Sequence, residues 1–304
     1  MNELITDIKS IEIETLNNLK LSKASNTIRA YKSDFKDFAM FCTKNGFKSL
    51  PTEPKIVSLY LTYLSSVSKI STLKRRIASI SVLHRLKGHY IDTKHPIIIE
   101  NLMGIRRKKG SYQKSKKPIL INELKLIINV INNEKNEKIR SKNRALILLG
   151  FAGGFRRSEL VAIHYEDVDF VSEGVKIFVK RSKTDQSGEG MTKGIPYFTN
   201  HNYCPVSSLK KWIDTSQIKS GKIFTMSDKS VALTIKKYAF LAGLDPNKYS
   251  GHSLRSGFAT STAELGAEER SIMAMTGHKT TQMVRRYIQE ANLFKNNALN
   301  KIKI

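Results

Sequence analysis

Along the first third of the chain, apolar residues recur every three or four positions, the spacing of one face of a helix. Ile28, Tyr31, Phe35, Phe38 and Phe41/Cys42 mark a helix over Thr27 to Asn45. Ser25 or Asn26 is placed to cap it and Gly46 to stop it. Pro54 opens a second helix, with Ile56, Leu59, Tyr60 and Tyr63/Leu64 on its inner face. Ser71 caps a third, where Leu73, Ile77, Ile80 and Leu83/His84 face inward and Lys74, Arg75 and Arg85 outward. His95-Pro96 breaks the pattern, and a short helix near Ile97 to Met103 follows. Several short amphipathic helices in a row predict a compact bundle.

The periodicity then stops. Residues 104–118 are basic, with scattered Gly and Ser and little apolar content, as in a linker. It resumes near Pro118, with helices over Ile119 to Ile131 and Arg144 to Gly153. Val168 to Phe170 and Val175 to Lys180 read as short strands. Asp185 to Gly190 reads as a turn, and Gly194 to Phe198 as a possible third strand. From Val206 onward the pattern is helical. The expected fold is mainly α with a small antiparallel β-sheet. Its domains are a helical bundle over 1–105, a basic linker over 106–117 and a second domain over 118–304.

Charge sharpens this picture. The 304 residues hold 52 Lys+Arg against 26 Asp+Glu, a net charge of +26. Self-repulsion of this size is best tolerated beside a polyanion. A general bias toward Lys, Asn and Ile explains part of the excess. It does not explain the runs Lys74-Arg75-Arg76 and Arg106-Arg107-Lys108-Lys109. Lys74, Arg75, Arg76, Arg85, Arg106 and Arg107 are therefore candidate DNA contacts, and double-stranded DNA is the expected partner. Cys42 and Cys204 form neither a CxxC pair nor a zinc pattern, which fits a reduced, cytoplasmic compartment, and a DNA partner makes the expected setting nucleoid-associated. No signal peptide is expected, and no apolar run reaches the ~18 residues that span a bilayer.

The candidate chemistry lies in three short boxes. Gly153-Gly154-Phe155-Arg156-Arg157-Ser158-Glu159-Leu160 follows an apolar helix. A guanidinium grips two phosphate oxygens at once, and Arg156 is preferred over its neighbour Arg157 for its spacing to Ser158-Glu159-Leu160. Glu159, one turn on, is placed to orient side chains. In His252-Ser253-Leu254-Arg255, the histidine and arginine share a helix face, and Gly251 fits a helix start where free N–H groups favour an anion. His278 follows Gly277 in the same way, and Tyr287 lies nine residues further. Two arginine forks, two histidines and a phenol suffice to hold and attack a phosphodiester. Lys183, just before the expected hairpin turn, is a candidate proton donor to a leaving oxygen, with Lys180 and Lys193 as rivals. Asp167 and Asp169 lack a third acid, so neither a metal site nor another cofactor is expected.

Together, in this order and spacing, these boxes resemble those of the tyrosine recombinase (phage integrase) family. The segment Arg181-Ser182-Lys183-Thr184-Asp185 resembles the hairpin that carries the family's lysine. The N-terminal part, with Ser71 to Gly88 and Gly104-Ile105-Arg106-Arg107, is similar to the family's SAM-like, core-binding helical domain. The resemblance implies metal-free, site-specific recombination through a 3′-phosphotyrosine and a Holliday junction, in the integration, excision or dimer resolution of a DNA element. In it Tyr287 is the nucleophile, Arg156, Arg255 and His278 hold the phosphate, Lys183 is the general acid, and His252 assists proton transfer. It also implies assembly to a tetramer on DNA. The apolar residues Leu293, Phe294, Leu299 and Ile302 of the tail are expected to dock on a neighbouring subunit. A type IB topoisomerase would use similar chemistry without exchange between sites. A DNA-binding regulator would need no Tyr287.

Overall fold

The computed structural model describes residues 8–21, 24–110, 115–180, 189–291 and 298–302. The chain forms two compact units, Met1–Lys114 and Ser115–Ile304. The first unit is helical: α1 (Ile8–Leu21), α2 (Ser25–Lys44), α3 (Pro54–Leu64), α4 (Ile70–Leu86) and α5 (Pro96–Lys109). Its core gathers Phe38 and Cys42 from α2, Tyr60, Leu61 and Leu64 from α3, Leu73 and Ile80 from α4, and Ile98, Leu102 and Ile105 from α5. His84 is buried there as a satisfied neutral ring. Its Nδ1 meets the Ile80 carbonyl at 2.8 Å and its Nε2 accepts from the Thr52 amide at 3.1 Å.

Four expectations are corrected in this unit. Leu59 is exposed; Val57 and Leu61, on either side of it, turn inward instead. Ser25 lies inside α2, whose N-cap is Ala24, and Ser71 lies inside α4, whose N-cap is Lys69. The linker also starts later than residue 106. Arg106 to Lys109 form the last turn of α5, where the free carbonyl end of the helix favours cations, and buried Ile105 holds that turn to the core. Gly110, at φ +72°, ends the helix.

The second unit is built around α7 (Glu137–Ala152), whose Ala145 to Leu149 are all buried. A helical stretch apolar all round belongs inside. Around it lie α6 (Ile121–Asn132), the one-turn α8 (Arg157–Leu160), α9 (Pro205–Ser216), α10 (Asp228–Leu241), α11 (Ser253–Glu264), α12 (Glu269–Thr276) and α13 (Thr281–Ala291). The entering chain pairs with the start of α11, the Ile119 amide donating to the Ser253 carbonyl at 2.9 Å. That approach needs Gly257, where a Cβ would lie 1.9 Å from the Ile119 carbonyl oxygen.

A three-stranded antiparallel sheet completes the unit, in the order β1 (Val168–Val171), β2 (Gly174–Val179), β3 (Met191–Pro196). The third strand begins at Met191 and ends at Pro196, so it is shifted from the expected Gly194 to Phe198. Its register pairs Ile177 with Lys193 and Val175 with Ile195. Val175, Ile177, Val179, Lys193 and Ile195 all face inward, a period-2 face that includes one lysine. Among the described residues, no helix is long and apolar enough to cross a membrane.

Candidate active site

The first box sits where α7 stops. Gly153 caps the helix and Gly154 takes φ +53°, which turns the chain back toward the core. Phe155 is buried in that turn, and Arg156 becomes the N-cap of α8. The Glu159 carboxylate, itself buried, accepts from the Arg156 amide at 2.9 Å and from Arg156 Nη1 at 2.6 Å. One carboxylate thus fixes both the backbone and the guanidinium of Arg156. Arg157 points elsewhere. Its side chain lies over Gly251 and its Nη2 is 3.8 Å from Asp228.

The second box opens α11, with His252 as N-cap. One turn on, Arg255 is 1% exposed, and no carboxylate forms an ion pair with it among the described residues. Its Nη1 donates to the Gly154 carbonyl at 2.8 Å and its Nη2 meets His278 Nε2 at 3.0 Å. Its buried Nε has no partner among the described residues. An unsatisfied buried donor on a cation is costly, and an anionic oxygen is the acceptor that best removes the cost.

The third box spans two helices. Gly277 was expected to begin a helix; it ends α12 instead, at φ +64°, and α13 starts only at Thr281. The left-handed turn sets down His278, which is 8% exposed. Thr276 Oγ1 donates to the Ile272 carbonyl at 2.6 Å and so accepts from His278 Nδ1 at 2.8 Å. These partners assign the ring proton to Nδ1 and leave Nε2 as an acceptor for Arg255. Val284 of α13 is fully buried against Ala259, Ala263 and Ile272, which anchors the helix. Tyr287, one turn further, then lies with its Oη 3.3 Å from His252 Nε2 and its ring 6.2 Å from that of His278.

Positive charge dominates the electrostatics. Burial, and then Arg255 and Arg156, push His278 down to about 4. His252 keeps an exposed edge, yet the crowding of its ring and then Arg255, Arg156 and Arg157 also lower it. Both rings are therefore neutral at pH 7. Burial and Arg156 lower Arg255 to about 10, which leaves it charged.

Arg156, Glu159, His252, Arg255, His278 and Tyr287 thus converge in one place. Lys183 lies outside the described residues. Of its rivals, Lys180 is exposed and paired with Asp167 at 2.7 Å. Lys193 is buried beside the first and third boxes, 1% exposed, with Nζ 2.7 Å from the Gly153 carbonyl and 2.6 Å from that of Met275. Its parity with Ile195 was the signal in the sequence that it faces inward. In the helical unit, Lys74, Arg85, Arg106 and Arg107 are exposed. Arg75 and Arg76 reach acids of α2: Arg75 forms a two-pronged pair with Asp34 at 2.8 and 2.9 Å, and Arg76 bonds Asp37 and Tyr60. Among the described residues, no three His, Cys, Asp or Glu side chains gather where they could hold a metal ion.

A helical unit followed along the chain by one that joins two arginines, two histidines and a tyrosine defines a class of DNA-cleaving protein, and comparison with known proteins specifies it. Residues 119–293 match the model of the phage integrase family. The chain is 42% identical over 316 aligned positions to a Selenomonas ruminantium protein named an integrase/recombinase xerD homolog, covering 99% of this chain and 92% of that one. It is 27% identical to the tyrosine recombinase XerD of Staphylococcus epidermidis, over 89% of this chain and 91% of that one. Among solved structures, the XerH recombinase in a post-cleavage complex with palindromic difH substrate aligns with TM-score 0.62 and 17% identity, over 81% of this chain and 73% of that one. A lambda integrase tetramer bound to a Holliday junction aligns with TM-score 0.59 and 17% identity, over 92% and 75%. The chain belongs to the phage integrase family and is a tyrosine recombinase.

Proposed function

We propose that this protein recombines specific DNA sites by cleaving one strand at a time with Tyr287. The Tyr287 oxygen attacks the phosphorus and the bond to the 5′ oxygen breaks, leaving a 3′-phosphotyrosine and a 5′-hydroxyl. The phenol proton passes to His252, and Lys183 protonates the leaving 5′ oxygen. Arg156 and Arg255 neutralise the nonbridging oxygens in the transition state, where oriented cations act most strongly. Glu159 orients Arg156. His278 accepts from Arg255 in the free site, and the charge of an arriving phosphate favours its protonation and donation to the same oxygens. The ester conserves the energy of the broken bond. Attack by a partner strand's 5′-hydroxyl reverses the step, and two rounds pass through a Holliday junction.

The observation that carries this reading is the 3.3 Å approach of His252 Nε2 to Tyr287 Oη, beside a buried Arg255 whose Nε awaits an acceptor. A nicked suicide duplex tests it. Wild type accumulates covalent protein–DNA adduct with or without chelator. Tyr287→Phe binds the same duplex and forms none; abundant adduct from that variant contradicts the assignment. Exchange between two sites, rather than relaxation alone, separates the recombinase from a topoisomerase.

Assembly belongs to the same reading. Four copies act on two sites, in the cytoplasm on nucleoid DNA. The helical unit serves as the core-binding domain, with Lys74, Arg85, Arg106 and Arg107 on phosphates. Leu293 and Phe294 of the tail lie outside the described residues; Leu299 and Ile302 are 67% and 56% exposed. An apolar cavity of about 590 Å³, lined by Leu124, Phe151, Phe198, Phe258, Leu265 and Met275, suits such a tail from a neighbouring copy. Removing residues 292–304 is expected to leave single-site binding intact and abolish the tetramer, as read by sedimentation on DNA.

A further inference from the structure

Lys193 is the one inward-facing charged residue of a strand whose neighbouring inward positions are apolar, and the proposed cleavage chemistry does not use it. A buried ammonium without a hydrogen-bonded carboxylate is a costly choice for a core position. Its partners here are neutral. They are the carbonyl of Gly153 at 2.7 Å, the carbonyl of Met275 at 2.6 Å, and the face of Phe155, with Nζ 4.4 Å from the ring centroid. Gly153 precedes Arg156 by three residues, and Met275 precedes His278 by three. Arg255 also reaches both segments, at the Gly154 carbonyl and the His278 ring, but Lys193 holds the backbone of each.

We propose that Lys193 is a positioning residue for DNA cleavage: its ammonium bridges the backbone that presents Arg156 to the backbone that presents His278, and the bridge is strong only while the amine is protonated. This rests on the reading of the site as one that cleaves DNA. The charged form matters for two reasons. Hydrogen bonds from an ammonium are roughly twice as strong as those from a neutral amine. The ring face of Phe155 attracts the cation and repels a lone pair.

The protonation state is poised. Burial, and then the charges of Arg255 and Arg156, pull Lys193 down to about 7, against the attraction of Glu159. Arg156 and Glu159 face it from α8 and Arg255 from α11, while β2 sets Ile177 opposite it. His278 and His252, both lowered, are already neutral above pH 7, and Arg255, at about 10, stays charged. In the DNA-free protein Lys193 therefore titrates within a window where these groups do not. A phosphate between the arginines favours the charged amine. DNA thereby tightens the bridge that aligns its own ligands, and the transition moves to higher pH in the complex.

Single-turnover adduct formation on a nicked duplex, wild type against Lys193→Met, tests this from about pH 6 to pH 9.5. The expected ratio of rates is about tenfold or more at the acid end. It falls toward one as the pH rises, because deprotonated wild type comes to resemble the variant. Lys193→Gln, which keeps a neutral donor, is expected to lie between them at the acid end, and its ratio to Lys193→Met is expected not to change with pH. A ratio of one throughout, or a constant loss at every pH, overturns the proposal; the second result marks a merely structural lysine. Hydrogen exchange on DNA-free wild type, corrected for intrinsic rates, needs neither variant nor activity. Peptides covering 153–157 and 275–280 are expected to lose protection together as pH rises through about 7, and unchanged protection overturns the bridge. If wild type forms no adduct, the cleavage reading falls while the exchange experiment still decides the bridge.

Discussion

The two units use arginine in opposite ways. In the helical unit, Arg75 meets both oxygens of Asp34 and Arg76 bonds Asp37 and Tyr60. Those charges are spent within the fold. In the second unit, Arg255 is deeper, at 1% exposed, yet it leans on a carbonyl and a neutral histidine. Its charge remains available, and one of its nitrogens awaits an acceptor. Arg156 is intermediate: Glu159 takes one edge of the guanidinium and also fixes the backbone beneath it. A buried arginine held by neutral groups is poorly explained by stability and well explained by an anionic ligand.

The sharpest way to break this contrast is Arg255→Lys. It keeps one positive charge and loses the fork that spans Gly154, His278 and a phosphate oxygen. We expect adduct formation to fall about 10²–10³-fold, with little change in the affinity for DNA. A loss below tenfold would mean that charge alone suffices. Glu159→Gln is expected to cost less, about ten- to a hundredfold in the same assay, because it weakens the hydrogen bonds that aim Arg156.

The histidines sharpen the comparison through pH. His278 has a folded value of about 4, below its usual 6.5. It therefore contributes stability that is full above pH 6.5 and lost as pH falls through about 4. The shift corresponds to about 3 kcal/mol. His84 is also lowered, chiefly by burial, so its contribution has the same sign in the helical unit. Urea melts at pH 7 and pH 4 should show His278→Ala less acid-sensitive than wild type, and equal sensitivity would contradict the assigned tautomer and burial. The smallest effect is expected from Arg75→Ala. Its pair with Asp34 is half exposed, and we expect about 1 kcal/mol or less in urea melts and no change in adduct formation per bound protein.

The three boxes were legible in the sequence because each is local. Glycines, an arginine and a histidine within a few residues define a turn and its cargo wherever the rest of the chain goes. Tyr287 was legible by its spacing from His278, and the structure supplies the reason: α13 starts at Thr281 and places the phenol one turn beyond the anchor Val284. Lys193 was readable only as a rival, because its weight depends on strand register. Its parity with Ile195 points it inward, but its two carbonyl partners come from segments 40 and 82 residues away. Gly277 was misread as a helix start because glycine serves both ends of helices, and only its positive φ decides between them. Arg106 to Lys109 looked like part of a linker by their charge and the Gly, Ser and sparse apolar content around them. At a helix C-terminus the same cations are stabilised by free carbonyls, and the local pattern carried too little apolar content to show it.

The central claim is that Tyr287, and no other tyrosine, becomes bonded to DNA. Mass spectrometry on nuclease- and trypsin-digested adduct from a nicked duplex tests it most directly. The predicted result is one modified peptide, with a 3′-linked nucleotide on Tyr287. A nucleotide on any other residue, or an adduct that survives in Tyr287→Phe, would contradict it.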